Sequence, residues 1–264
     1  MAQSSQPTPY DDVNQVLRTF HTEIHAILGR QFVGMYIYGS LALGDFNPKS
    51  SDIDFIVISD GDIDDPLFET LAQFHNKFNA SGSAWANKVE AIYVSLDALE
   101  SVEATAARYP QIEKGKLLVR EPLEVAWIFQ RHILRERAIV ISGPKPSSLM
   151  SPVNPEDMRW AIVAMTGEWL ELARYDHEWL EWVGQREGQA FVVLMLCRCL
   201  YALATGDVAS KSMAARWAQH NLPPRWKPLI GLSLVRQHEQ SRTAESDVID
   251  TLYFIEYTYQ VSQQ

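Results

Sequence analysis

Apolar residues recur at helical spacing between Asp12 and Leu28 (Val13, Val16, Leu17, Phe20, Ile24, Ile27, Leu28), and Gly29 supplies a stop. Three short runs rich in β-branched and aromatic residues follow, Val33–Tyr38, Ile53–Ser59 and Val89–Ser95, and each reads as a strand. The spacing predicts a helix over Pro66–Phe78 between the last two, another over Pro122–Arg137, and a short apolar run at Ala138–Ser142. Four of the 13 prolines then fall between Gly143 and Pro155 among small polar residues, as expected of a linker or surface loop. Beyond it the pattern is helical over about 156–182, 189–204, 210–220, 225–238 and 245–261. The fold class expected is α+β: a mixed-sheet domain over 1–150 followed by an all-α bundle over 151–264.

Six of the eight tryptophans lie in the helical half, which suggests a heavy aromatic core or an apolar wall for a ligand. The longest apolar segment, Ala190–Ala204, is interrupted by Arg198 and is shorter than the ~20 residues of a membrane span. The N-terminus is polar and lacks a signal-peptide pattern, so a soluble, cytoplasmic chain with no membrane partner is expected. Cys197 and Cys199 point to different faces of a helix and read as small core hydrophobes.

Charge narrows the partners. The 264 residues hold 33 acidic and 23 basic side chains, a net charge of −10. The excess is spread over both halves, 19 acidic against 13 basic up to residue 150 and 14 against 10 after it. Phosphate-backbone binding depends on Lys and Arg, so nucleic acid is disfavoured and a cationic small molecule fits better.

Chemistry concentrates between Tyr38 and Ser59. Gly39-Ser40 follows a strand, and Asp52-x-Asp54 opens the next one. Glycine permits close approach of backbone to a phosphate, and Ser40 adds a hydroxyl at the start of a short helix over about 40–44, where free N–H groups favour anions. Residues two apart on a strand share a face, so Asp52 and Asp54 project together. Hard carboxylate oxygens beside bound phosphates suit Mg²⁺. The apolar Ile53, Phe55, Ile56, Val57 and Ile58 around them make unpartnered acids costly. A lone D-x-D is otherwise a solvated strand end.

Gly39-Ser40 followed after eleven residues by Asp52-Ile53-Asp54-Phe55 resembles the signature of the polymerase-β-type nucleotidyltransferases. Within them the chain is most similar to the aminoglycoside adenylyltransferases that modify streptomycin and spectinomycin. The resemblance extends to Ala138–Pro144, to Thr205–Lys211, and to Ala214, Ala215, Trp217, Ala218 and Leu222-Pro223. It implies transfer of AMP from ATP to an antibiotic hydroxyl, with Mg²⁺ as cofactor and resistance as the outcome. It also implies that Glu90 is the general base and, with Asp52 and Asp54, a metal ligand, that Ser40 and Ser51 contact the nucleotide, and that Lys211 reaches its phosphates from a second domain closing the cleft. From residues alone, Glu90 is as readily an edge-strand charge and Ser51 a strand cap.

The acceptor side is less determined. Met158, Ile162, Met165, Trp169, Leu172, Asp176, Trp179 and Val183 form one stripe along helix 156–182. Asp176, Trp179 and Glu181 would suit a cationic acceptor there; alternatively the helix ends near Tyr175 and the acids are solvated. Around Trp182–Phe191 and near Gln237 the match to the family's acceptor positions lapses. A lincosamide, another small alcohol or a protein side chain as acceptor, or a non-catalytic nucleotide-binding module, are the competing functions. The chain is expected to act as a monomer.

Overall fold

The structure, a computed structural model, describes residues 6–100, 107–113 and 115–264. The chain divides by its internal contacts into one unit up to Pro152 and another from Val153.

The first unit is built on six strands: β1 (Phe32–Ile37), β2 (Ile53–Ser59), β3 (Val89–Ser95), β4 (Arg108–Ile112), β5 (Val119–Pro122) and β6 (Ile139–Ser142). They lie in the order β5-β4-β3-β2-β1-β6, with β2 and β3 parallel and the other neighbours antiparallel. The parallel pair is joined by helix α3 (Asp65–Asn79), because parallel neighbours need a long crossover. Asp64 caps that helix by accepting the Leu67 N–H at 3.0 Å. Helix α1 (Asp11–Leu28) ends at Gly29, whose φ of +53° stops it as its position after the apolar stripe suggested. Its stripe packs with Leu71 of α3 against Met35 and Ile37 of β1, Ile53, Phe55 and Val57 of β2, and Val89, Ala91 and Tyr93 of β3. Alternate positions on those strands therefore face the other side of the sheet.

Two elements depart from the sequence pattern. Helix α4 spans Trp127–Arg137, not 122–137, because Pro122 is still the last residue of β5. The β4–β5 hairpin carried no alternating signal to announce it.

His75 on α3 is buried among Phe20, Phe74 and Tyr93, and its Nε2 shares a 2.7 Å hydrogen bond with the Tyr93 hydroxyl. Burial pushes its pKa down to about 4. Between about pH 6.5 and 4 the unfolded chain binds this proton and the folded chain does not, so stability falls as pH drops through that window, by about 3 kcal/mol at most. Urea titrations at pH 7 and pH 4.5 are expected to show this slope, and a His75→Gln variant to flatten it.

The second unit contains α5 (Pro155–Tyr175), α6 (His177–Val183), α7 (Arg186–Thr205), α8 (Lys211–Asn221), α9 (Lys227–Arg236) and α10 (Glu245–Ser262). The helix expected over 156–182 is thus two helices. Helix α7 forms the centre and is buried on nearly every side, which explains its all-round apolar sequence. It outruns the apolar segment read from the sequence and reaches membrane-spanning length, but 67% of its most apolar window is buried inside the unit, as in a core helix. Cys197 and Cys199 sit within it as free thiols, and burial pushes the pKa of Cys199 up to about 12. Arg186 at its start is buried, donating to Gln189 Oε1 at 2.7 Å and to Asp247 Oδ2 at 3.1 Å, which ties α7 to α10.

Candidate active site

Register assembles the acids. Asp54 on β2 is the parallel-ladder partner of Glu90 on β3, so their side chains stand beside each other. Asp52, two residues before Asp54, projects to the same face, and its Oδ1 atom is shut off from solvent. All three lie opposite the face that α1 and α3 cover. Each is half-buried, at the end of β2 and β3 where the chain enters the sheet.

The turn after β1 closes onto them. The Tyr38 N–H donates to the Asp54 carbonyl at 3.1 Å, which sets Gly39 against the Asp54 side chain. Gly39 has φ +61°, and a Cβ there would lie 2.0 Å from Asp54 Oδ2. Glycine is therefore favoured here by the backbone conformation and by the carboxylate packed against it. The following helix α2 (Gly39–Ala42) is a single turn, so it lacks the developed dipole expected at Ser40. What remains is a half-buried backbone turn and the Ser40 hydroxyl. Ser51 closes the intervening loop, its Oγ accepting the Asn47 N–H at 3.0 Å and its own N–H reaching the Asn47 carbonyl at 2.8 Å. That is a turn-forming role, with the hydroxyl proton still able to donate.

Tyr38 is a neighbour that the sequence pattern did not single out. Its side chain is buried on the acid-bearing face. Burial first, then the charges of Asp54 and Glu90, hold its phenol pKa well above 10, so it stays protonated beside the carboxylates. Its place directly before Gly39 was the available signal, but an aromatic residue ending a strand reads as core.

The donor chemistry is of the kind a hard divalent cation takes, although among the described residues no three acid, His or Cys side chains are gathered closely enough to enclose one ion. Three carboxylates share one face, they are partly withdrawn from water, and the adjoining turn leaves no room for a side chain between backbone and Asp54. Holding several anions together in such a place is costly unless a cation accompanies them. Mg²⁺, with its preference for carboxylates and phosphate oxygens, matches that chemistry.

The other candidates lie in the helical unit. Asp176 does not lie on a continuous helical stripe: it sits in the break between α5 and α6, where its Oδ1 accepts the Trp179 N–H at 2.9 Å. It is the N-cap of α6, Trp179 packs partly into the bundle core, and Glu181 is exposed. An Asp176→Ala variant is expected to lose about 1 kcal/mol of stability while Asp176→Asn, which can still cap, loses little. Thermal melts of the two check this, and a loss shared by both would point to the charge instead.

The segment before Lys211 has a local logic. Gly206 ends α7 in the left-handed conformation with φ +71°. Val208 and Ala209 are then buried, and the Arg198 Nε–H donates to the Ala209 carbonyl at 3.0 Å. Ser210 caps α8 by accepting the Met213 N–H at 3.2 Å, leaving Lys211 as the first helical residue.

Similarity to known proteins follows the same division. Residues 23–133 match the nucleotidyltransferase domain family, and residues 148–253 match the aminoglycoside adenylyltransferase C-terminal domain. An aminoglycoside (3'') (9) adenylyltransferase of Klebsiella pneumoniae is 24% identical over 218 residues, 75% of each chain. A spectinomycin 9-adenylyltransferase of Staphylococcus aureus is 25% identical over 240 residues, 83% of each. The crystal structure of a spectinomycin adenyltransferase from Enterococcus faecialis, with ATP and spectinomycin, shares the fold with a TM-score of 0.67 at 17% identity. That overlap covers 97% of this chain and 99% of the other.

Proposed function

Because the chain belongs to the aminoglycoside adenylyltransferase family of nucleotidyltransferases, we propose that it transfers AMP from ATP to a hydroxyl of an antibiotic of the streptomycin or spectinomycin type. The observation that carries this reading is the in-register pair Asp54–Glu90 with the Gly39 turn packed against it. A nucleotide-binding module would need phosphate contacts but no third carboxylate positioned for proton transfer.

Asp52, Asp54 and Glu90 would hold Mg²⁺, which when bound neutralises charge on the triphosphate. The Ser40 hydroxyl and the backbone of its turn bind phosphate oxygens, with Ser51 contributing its hydroxyl and Lys211 its ammonium. Glu90 accepts the proton of the acceptor hydroxyl. That oxygen forms a bond to the α-phosphorus as the bond to the departing pyrophosphate breaks in line. Tyr38, protonated beside the acids, adds a neutral hydroxyl to the site and no competing negative charge. An overall charge of −10 favours a polycationic acceptor, whose ammonium groups are drawn to carboxylates and aromatic faces. Asp176, Trp179 and Glu181 are the acceptor-binding candidates.

Expression in a susceptible bacterium is expected to raise the streptomycin or spectinomycin concentration needed to stop growth. An Asp54→Asn variant should leave tolerance at background. Unchanged tolerance to both drugs, with the wild-type protein demonstrably present, would remove these antibiotics as acceptors.

A further inference from the structure

Three side chains from three neighbouring stretches of the sheet stand in one row on its acid-bearing face. Ile37 pairs with Phe55 in the antiparallel β1–β2 ladder, so Tyr38, the next residue along, lies opposite Asp54. Its N–H bonds the Asp54 carbonyl at 3.1 Å, and Asp54 is in turn the ladder partner of Glu90 on β3. The row reads Tyr38, Asp54, Glu90, and Tyr38 stands at the end that runs into the Gly39-Ser40 turn.

The two tyrosines that β1 directs to this face are put to different uses. Met35 and Ile37 pack toward α1 and α3, so Tyr36 and Tyr38 face the other way. Both rings are buried, and a phenylalanine would fill either place. The Tyr36 hydroxyl donates to the Pro144 carbonyl at 2.9 Å and so serves the fold. The Tyr38 hydroxyl forms no hydrogen bond among the described residues, and it is not one of the polar atoms shut off from solvent. A phenol with its ring anchored and its tip unpartnered is a fixed donor, open to an incoming acceptor.

Its surroundings indicate which acceptor. An anion brought beside Asp54 and Glu90 is repelled unless donors face it. A hydroxyl supplies such a donor and leaves the acids their charge, whereas a lysine or arginine at this position would form an ion pair with Asp54. Because the ring is already held, ordering the donor at the moment of binding costs little entropy. Glu90, which takes the proton of the acceptor hydroxyl in the nucleotidyl-transfer reading, stands on the far side of Asp54. Tyr38 adjoins the turn that holds phosphate oxygens in the same reading.

We propose that the Tyr38 hydroxyl is a nucleotide-binding group that donates a hydrogen bond to a phosphate oxygen held at the Gly39-Ser40 turn. The proposal rests on the reading of that turn as the phosphate site, and the experiment separates the two. Binding of Mg-ATP to the full chain is measured by calorimetry, with AMP transfer and thermal melting alongside, for the wild type, Tyr38→Phe, Tyr36→Phe and Ser40→Ala.

Tyr38→Phe is expected to raise the Kd roughly ten- to hundredfold, the range for a hydrogen bond to a charged group, while melting with the wild type. Tyr36→Phe should do the reverse, melting about 2–4 °C lower and binding Mg-ATP normally, because its hydroxyl bonds only the fold. Ser40→Ala should weaken binding as well. Wild-type affinity in Tyr38→Phe alongside a loss in Ser40→Ala overturns the proposal and spares the turn as the phosphate site. A Tyr38→Phe variant that loses affinity only in step with a lowered melting temperature also overturns it, since the hydroxyl would then be structural. Slower AMP transfer at wild-type affinity does so too, because the hydroxyl would act on the reacting groups and not on bound phosphate. Unchanged affinity in both Tyr38→Phe and Ser40→Ala, or no binding by the wild type, brings down both.

Discussion

Replacing Glu90 by glutamine is expected to reduce AMP transfer by roughly 10²- to 10⁴-fold, the range for loss of a general base. The amide keeps the shape and the strand register but cannot accept the proton of the acceptor hydroxyl. Asp52, Asp54 and the Gly39-Ser40 turn remain, so Mg-ATP should still bind, as it should to Glu90→Ala. The effect therefore belongs in kcat, with the apparent affinity for ATP shifted much less. Single-turnover measurements with saturating Mg-ATP separate the two quantities. Near-normal turnover in both variants would take the base assignment away from Glu90.

Gly39→Ala should be almost as damaging, for a different reason. The residue would be held at φ +61°, a conformation that costs an L-residue about 1–2 kcal/mol. Its Cβ would also lie 2.0 Å from Asp54 Oδ2, so the carboxylate has to move. A displacement of about 1 Å at a reacting centre is enough to lose roughly 10²-fold in rate. Gly44 provides the control, because its φ is +70° yet nothing lies within 4 Å of where a Cβ would stand. Gly44→Ala is expected to share the drop in melting temperature and keep its activity. If the two variants were equally active, the packing of the turn against Asp54 would have no catalytic consequence.

These two residues differ in how far the sequence disclosed them. Asp52 and Asp54 could be placed on one face by parity alone, and β2 and β3 have the bounds that their β-branched runs suggested. That Glu90 stands beside Asp54 depends on a parallel pairing across α3, which no local pattern encodes; the resemblance supplied it. Gly39 was legible as a special position, but its contact with Asp54 was not, since it arises from the way the chain leaves β1. Tyr38 stayed hidden because burial next to charge looks, in a sequence, like burial in a core.

In the helical unit the expectation of one helix over 156–182 fails, while its alternative, an end near Tyr175, holds, since α5 stops there. Periodicity runs unbroken from Met158 to Val183, yet the helix breaks at Asp176. Trp179 keeps the apolar spacing because α6 restarts in nearly the same phase, while the acid that looked like a ligand within the seam caps the new helix. An acid followed by Glu178 in the next turn was the available sign of a helix start. The β4–β5 hairpin went unread for a simpler reason: its strands are short and contain Pro110 and Pro122, residues that argue against a strand.

The most direct measurement is to incubate the wild-type protein with Mg-ATP and, separately, streptomycin, spectinomycin and a lincosamide, following drug mass and pyrophosphate together. Streptomycin or spectinomycin is predicted to gain the mass of one AMP with one pyrophosphate released per molecule modified, and only with divalent metal present. Pyrophosphate released while neither of those drugs gains AMP would contradict the account.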